Sequence, residues 1–316
     1  MFGLAIRKMV FTMYLEQSIP FFFKSKLYNS LTEESTTLKK EEVTSKKSRL
    51  FLVKDIPDYL KLETDPNVQG YTCKRIKQYP GFALNLKSYD TLDSYLLNHL
   101  SKRNRKNILS KKRALEKKFN IHYEVYHGAI DKDLFETLFE NFKDLLTSRF
   151  DTKKMQNRNL QEWDYLKNLS YTSILDKKAS LFVIYDNQVP INLTLNFHVG
   201  SSIYSHMQSF KEAYKKFSLG DISMLKQIEW CIENQVLHYD FVIGPSYYKQ
   251  KWANHRYTYQ YALFIKRSSP LARILAPILV LFHTLKQFLR SKNIIGGAFS
   301  LDRIKHIITF KKTKHK

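Results

Sequence analysis

Tyr247, Tyr248 and Lys249 stand directly behind a short apolar run that stops at Gly244-Pro245, in the stretch YDFVIGPSYYKQKW (239–252). Open α/β sheets keep their ligands just past strand ends, where a phenol can act as a general acid and an ammonium can meet an anion. Core packing with a satisfied hydroxyl competes for the two tyrosines, and Lys249 can equally pair with Asp240. Upstream, Ser218-Leu219-Gly220-Asp221 opens a helix. Ser218 is expected to cap it, and the small Gly220 lets a ligand approach the backbone. The N–H groups of such a helix start form a phosphate site, although the same residues serve for capping alone. Tyr204, His206 and Gln208 share one face of the stretch IYSHMQS, facing a cleft or the opposite core. His206 is the first candidate for a base and Asp240 the second; a strand histidine is often structural, and an acid at a strand start often fixes a turn.

The elements that must position these residues follow from periodicity. Residues 29–49 are polar without apolar period and read as a surface loop or linker. FLVKDI, then YTCKRIKQY and FALNL on either side of a Pro80-Gly81 turn, read as strands, followed by a helix opened by Asp90-Thr-Leu-Asp93 as a modified capping box. SKRNRKNILSKKRALEKK (101–118) carries nine Lys and Arg against Glu116 alone. Ser101 caps this helix and Ile108, Leu115 and Phe119 form its narrow apolar seam, leaving either a solvated basic face or one wall of an anion groove. Leu134, Leu138 and Phe142 recur at helical spacing and read as core. SLFVIY follows as a strand. In the next one, Ile191, Leu193, Leu195, Phe197 and Val199 alternate with Asn192, Thr194, Asn196 and His198. With IYSHMQS these predict a three-stranded antiparallel meander. A crossover helix, FSLGDISMLKQIEWCIENQ, then makes the third strand and YDFVI parallel neighbours, and RYTYQYALFIK closes an α+β mixed sheet.

Composition sets the outer limits. With 316 residues, 43% hydrophobic and 14% aromatic, the chain buries a sizeable core and is not globally disordered. The two cysteines, Cys73 and Cys231, offer neither metal-ligand spacing nor a disulfide framework, which suits a reducing compartment and leaves no metal site to propose. The net charge of +23 favours anionic partners without choosing among nucleic acid, lipid headgroups and phosphorylated cofactors. The N-terminus lacks a continuous apolar core of the signal-peptide kind, and ILAPILVLFHTL (274–285) is shorter than the roughly 20 residues that span a bilayer. A cytoplasmic protein, soluble or peripherally attached, is therefore expected. The helix SSPLARILAPILVLFHTLKQFLRSK has one strongly apolar face, which either docks on the body of the protein or lies on an anionic membrane together with the basic end RIKHIITFKKTKHK.

The ordered set SKRNRKNILSKKRALEK, YKKFSLGDISMLKQIEW and YDFVIGPSYYKQKWA resembles the GNAT acyltransferase superfamily, and more narrowly the CelD/BcsL-type acetyltransferases, relatives of the FemAB fold with two GNAT-like lobes. The resemblance covers roughly residues 70 to 267. It implies an N-terminal segment and linker at 1–49, a degenerate N-terminal lobe at 50–118, a complete C-terminal lobe at 119–267, and an amphipathic helix with basic tail at 268–316. It also implies acetyl-CoA, or another acyl-CoA, as donor. Ser218, Leu219, Gly220 and Asp221 match the loop-to-helix turn that holds its pyrophosphate, while Gly244 and Lys249 complete the cofactor set. Tyr248 matches the family's Tyr-Lys position, with Tyr247 the neighbouring alternative, as the acid that protonates the departing thiolate. Tyr204 and Gln208 are the acceptor-binding candidates. The sequence departs from the pattern at Leu219, where relatives have proline, and at Ile243, where many have arginine.

Three functions follow as expectations. The first is transfer of an acyl group from acyl-CoA to a sugar, polysaccharide precursor or small metabolite. The second is a FemAB-type transferase using aminoacyl-tRNA, and the third a basic adaptor on a degenerate acyltransferase fold.

Overall fold

The computed structural model describes residues 4–42, 48–153, 157–292 and 294. Its chain begins with β1 (Leu4–Lys8) and α1 (Met9–Leu15), whose Met9, Val10 and Met13 are fully enclosed. Four short strands follow: β2 (Ser18–Ile19), β3 (Lys26–Asn29), β4 (Glu34–Thr37) and β5 (Lys39–Lys40). The stretch expected to be a linker thus contributes two strands. β4 pairs antiparallel with β3, and β5 runs parallel to β2. Backbone pairing needs no apolar period, and the β-branched Thr36 and Thr37 suit an extended chain. Residues 43–47 of that stretch lie outside the described residues.

Next come β6 (Leu50–Pro57), β7 (Leu60–Lys61) and the fifteen-residue β8 (Tyr71–Asn85). β8 corrects the expectation of a turn at Pro80-Gly81, because the strand continues through both residues. Pro80 falls beside a register shift in the partner strand, where its missing N–H does no harm to the ladder. Gly81 lies under the phenol ring of Tyr257, and a Cβ there would fall inside that ring.

The helical portion holds α2 (Leu92–His99), α3 (Lys102–Lys118), β9 (Ile121–Tyr126), α4 (Lys132–Lys153), α5 (Arg158–Gln161) and α6 (Trp163–Leu175). α2 is capped one residue later than expected, by Thr91 Oγ1, which accepts from Ser94 N at 3.1 Å. Ser101 does cap α3, accepting from Asn104 N, and Ile108 and Leu115 are its buried seam. Phe135, Phe139 and Phe142 of α4 pack with Trp163 as core. The chain continues through β10 (Ala179–Asp186), β11 (Val189–Val199), β12 (Ser202–Phe210), a 3-10 turn (Glu212–Phe217), α7 (Leu219–Glu233), β13 (His238–Asp240), α8 (Tyr247–Trp252), β14 (His255–Lys266) and α9 (Pro270–Ser291).

Two compact units divide the chain. The first comprises Met1–Lys87, Val199–Tyr204 and Leu237–Gly296; the second contains Ser88–His198 and Ser205–Val236. Within the first unit the strands run in the order β1-β6-β14-β8-β13-β12. β14 is antiparallel to both β6 and β8, while β13 is antiparallel to β8 and parallel to β12. The parallel pair predicted from the crossover helix is therefore present, but shorter than YDFVI implied. Only Ser202–Tyr204 pair with His238–Asp240.

In the second unit β9, β10 and β11 form an antiparallel run. The alternation in β11 has an unexpected cause. Its polar row is buried too, facing α7 rather than water. Asn196 Nδ2 donates to Gln227 Oε1 at 2.9 Å, and the hydroxyls of Thr194 and Ser223 lie 3.2 Å apart. Ser223 and Gln227 are one turn apart on α7, which gives that helix a polar stripe matched to the strand.

Candidate active site

The start of α7 belongs to the second unit. Leu115 of α3 and Leu219 and Ile222 of α7 share one apolar cluster with Ile184, Ile191 and Phe217. Docking the narrow seam of α3 there places its basic face beside the helix start, and Lys111 Nζ donates to Ser218 Oγ at 2.8 Å. Ser218 therefore does not cap α7 with its side chain, as the sequence suggested. It adopts a left-handed conformation, φ 57° and ψ 54°, and its carbonyl accepts from Asp221 N and Ile222 N. A non-glycine residue in that region is uncommon, and here the 3-10 turn ending at Phe217 and the helix starting at Leu219 hold it from both sides. Leu219 is buried in the cluster while Gly220 and Asp221 stay partly open. A helix start with an ammonium beside it suits a phosphate.

Further along the same unit, β12 carries His206 and Gln208. Burial pushes the His206 imidazole down to about 4, and its ring meets Phe197 edge-on at 5.4 Å. A base with so low a value is neutral at physiological pH, which a proton acceptor requires. Gln208 Nε2 is buried with no hydrogen-bond partner among the described residues, while the Gln208 carbonyl accepts from Arg149 Nη1 at 2.8 Å. An unpartnered buried amide is costly unless a ligand or water accepts a hydrogen bond from it.

Asp240, Tyr204, Gly244, Tyr247, Tyr248 and Lys249 lie in the first unit. Asp240 ends β13 and is fully enclosed. Its Oδ2 accepts from Tyr59 Oη at 2.7 Å and Tyr257 Oη at 2.6 Å, and its Oδ1 accepts from Val242 N at 2.5 Å. The Tyr257 and Tyr259 hydroxyls lie 2.7 Å apart. Burial raises the Asp240 carboxyl, against the two phenol bonds that lower it. Burial first, then the Asp240 charge, raises the phenols of Tyr14, Tyr59, Tyr257 and Tyr259 well above their usual range. Tyr204 is buried beneath Tyr14, the rings stacked at 5.5 Å. Sequence reasoning does not single out Tyr59, Tyr257, Tyr259 or Tyr14. The signal for two of them is the period-two placement of tyrosines in RYTYQY, which puts alternate phenols on one strand face.

After Asp240 the chain leaves the sheet through Val242, φ 56°, and Gly244, φ 96°. Gly244 has open space where a Cβ would point, so its role is conformational. Ser246 caps α8, accepting from Lys249 N at 3.2 Å. Tyr247 is 78% exposed, whereas Tyr248 is half-buried with its ring edge-on to Phe241 at 6.0 Å. Lys249 turns back to donate to the carbonyls of Val242 at 3.2 Å and Ile243 at 2.9 Å. Burial lowers its ammonium to about 8, with the Asp240 charge opposing. Among the described residues, no group of three or more His, Cys, Asp or Glu is placed to hold a metal ion.

No curated protein matches the chain. Among solved structures it is similar to FemX, with a TM-score of 0.48 and 12% identity over 72% of this chain and 75% of that one. It is also similar to L-PGS from Bacillus licheniformis, with a TM-score of 0.44 and 12% identity over 75% of this chain and 73% of that one. A conserved protein of unknown function from Bacteroides thetaiotaomicron VPI-5482 gives a TM-score of 0.45 and 8% identity over 68% and 70% of the two chains. Residues 102–250, which run from the basic helix α3 to the Tyr-Lys pair of α8, match the family model of the acetyltransferase (GNAT) domain, and the mixed sheet with its crossover helix is a GNAT-like fold.

Proposed function

We propose that this protein is an acyl-CoA-dependent acyltransferase, with acetyl-CoA as the first donor to test and an amine or hydroxyl of a sugar, polysaccharide precursor or small metabolite as acceptor. The observation that carries the reading is the helix start at Ser218–Asp221 with Lys111 fixed on Ser218, inside the segment that matches the acetyltransferase family model. In this reading Lys111 and the positive end of α7 hold the donor's pyrophosphate, and the small Gly220 lets it approach the backbone. The edge of β12 from Ser205 to Phe210, beyond the three residues paired with β13, takes the pantetheine arm. When bound, acyl-CoA supplies an activated acyl group on sulfur. His206 accepts the acceptor's proton at an imidazole nitrogen, Asp240 being the alternative, and Tyr248 supplies a proton from Oη to the leaving sulfur, Tyr247 being the alternative. Gly244 and Lys249 are carried over as donor-binding candidates, and Tyr204 and Gln208 as acceptor-binding candidates. A cytoplasmic location is part of this reading.

Titration calorimetry with acetyl-CoA, followed by acyl transfer to a panel of amino sugars, tests the reading. Saturable binding at micromolar donor supports it, and the absence of both binding and thermal stabilisation by any acyl-CoA overturns it in favour of a binding module. The basic face of α3 gives a second reading some support: nine Lys and Arg against Glu116 also suit a tRNA donor. Saturable aminoacyl-tRNA binding with a steep salt dependence is the outcome that favours it.

A further inference from the structure

α9 is apolar on two opposite faces. One face packs on the first unit's sheet: Ala272 and Ala276 are buried against Leu50, Leu52, Ile76, Tyr261 and Leu263, with Leu275, Leu279 and Val280 beside them. His283, on the same face, is buried with its ring edge-on to Tyr261 at 5.3 Å. At 100° per residue the opposite face carries Ile274, Ile278, Leu281, Phe282, Leu285 and Phe288. Their exposures are 64, 59, 68, 56, 51 and 55%, an unbroken apolar strip along the helix. A single exposed leucine needs no explanation, but a strip of this length on a charged protein does.

Charge identifies what covers it. From Phe241 to Leu301 the sequence contains no Asp or Glu. Exposed Arg267 precedes the helix, Arg273 and Lys286 flank the strip on either side, and Lys292 follows its end. A second copy of the chain would bring these cations against their equivalents, within a protein of net charge +23. A surface with an apolar interior and an anionic rim offers the complement on both counts. The helix has the length and hydropathy to cross a membrane, and only 17% of its apolar window is buried. Yet its small-residue face is committed to β8 and β14, so the helix cannot enter a bilayer along its axis without taking the sheet with it.

We propose that α9 is an in-plane membrane anchor: its outer face sinks into the acyl boundary of an anionic bilayer while Arg267, Arg273, Lys286 and Lys292 meet the phosphates. The two alternatives for this helix, docking on the protein and lying on the membrane, are then both realised, by opposite faces. The basic end RIKHIITFKKTKHK lies outside the described residues. The anchor does not depend on the acyltransferase reading.

Flotation of the full-length protein with vesicles of phosphatidylglycerol and phosphatidylcholine in equal parts, and with phosphatidylcholine alone, tests the anchor. The expected result is co-flotation with the anionic vesicles only, and a loss of roughly tenfold or more in vesicle affinity for L281E/F282E. Both side chains are exposed, so the variant should keep the parent's unfolding midpoint. Four outcomes overturn the proposal: parent protein left at the bottom with both lipids, equal binding of the variant, a parent dimer that the variant dissociates, or parent protein that resists alkaline carbonate extraction from membranes, as a spanning helix would.

Discussion

The carboxylate of Asp240 holds Val242 in a left-handed turn: Val242 N donates to Asp240 Oδ1 at 2.5 Å while Val242 sits at φ 56°. A β-branched residue there costs roughly 1–3 kcal/mol, so this exit from β13 must be held by its surroundings. Oδ2 serves the other direction, accepting hydrogen bonds from the Tyr59 and Tyr257 hydroxyls. One carboxyl thus ties the loop leading to Tyr248 into a buried phenol cluster.

Asp240→Asn keeps an acceptor for Val242 but replaces the oxygen that faces two phenol donors. A stability loss of about 2 kcal/mol is expected from urea unfolding. The pH dependence gives an independent check. Because burial raises the folded carboxyl above its unfolded value, the folded state holds the proton longer. Stability of the parent then falls as pH rises from the unfolded carboxylate value through the folded one, and this part of the fall should vanish in the variant.

Lys249→Met addresses the opposite shift. The folded ammonium titrates at about 8, below the unfolded value of about 10.4, so between the two the unfolded chain binds more protons. Parent stability should rise with pH across that window. Urea midpoints measured on either side of it should show no such rise in the variant.

Gly81→Ala inserts a Cβ into the space filled by the Tyr257 ring. Tyr257 is hydrogen-bonded to Asp240 and cannot swing away freely. A loss of about 1–3 kcal/mol is expected, the usual range for overpacking. An unchanged unfolding midpoint would show that β8 and β14 separate there at little cost.

Gly220→Asp places a carboxylate at the start of α7, where the donor's pyrophosphate is proposed to sit. Calorimetry should report acetyl-CoA affinity weakened about tenfold or more with the fold intact, since an acid in a first helical turn is itself tolerated. Unaltered affinity would remove this turn from the donor site.

Tyr248→Phe should lower kcat by about a hundredfold with little effect on the KM for donor, if its hydroxyl is the proton donor. Damage from Tyr247→Phe instead moves the role to the exposed neighbour. Full activity in both variants leaves protonation to solvent.

What the sequence determined by itself was the succession of the main elements from α3 to β14. Ser101 caps α3 because its hydroxyl reaches an N–H three residues on, and the β11 alternation is a strand wherever it packs. The crossover helix between β12 and β13 requires a parallel pair, and one is found. Each of these depends on near neighbours or on chain connectivity, which a single sequence contains. Tertiary structure alone decided the rest. The alternation of β11 does not say what its polar row faces, and Ser223 and Gln227 arrive from α7 to satisfy it. Pro80-Gly81 reads as a turn until Tyr257, far along the chain, fills the space that glycine leaves. Ser218 reads as a cap until Lys111 takes its hydroxyl. α9 reads as having one apolar face because periodicity counts side chains without saying which of them the sheet will cover. A hydroxyl, a glycine or a leucine has the same local preferences in either setting, and the choice between settings is made by partners that only folding brings near.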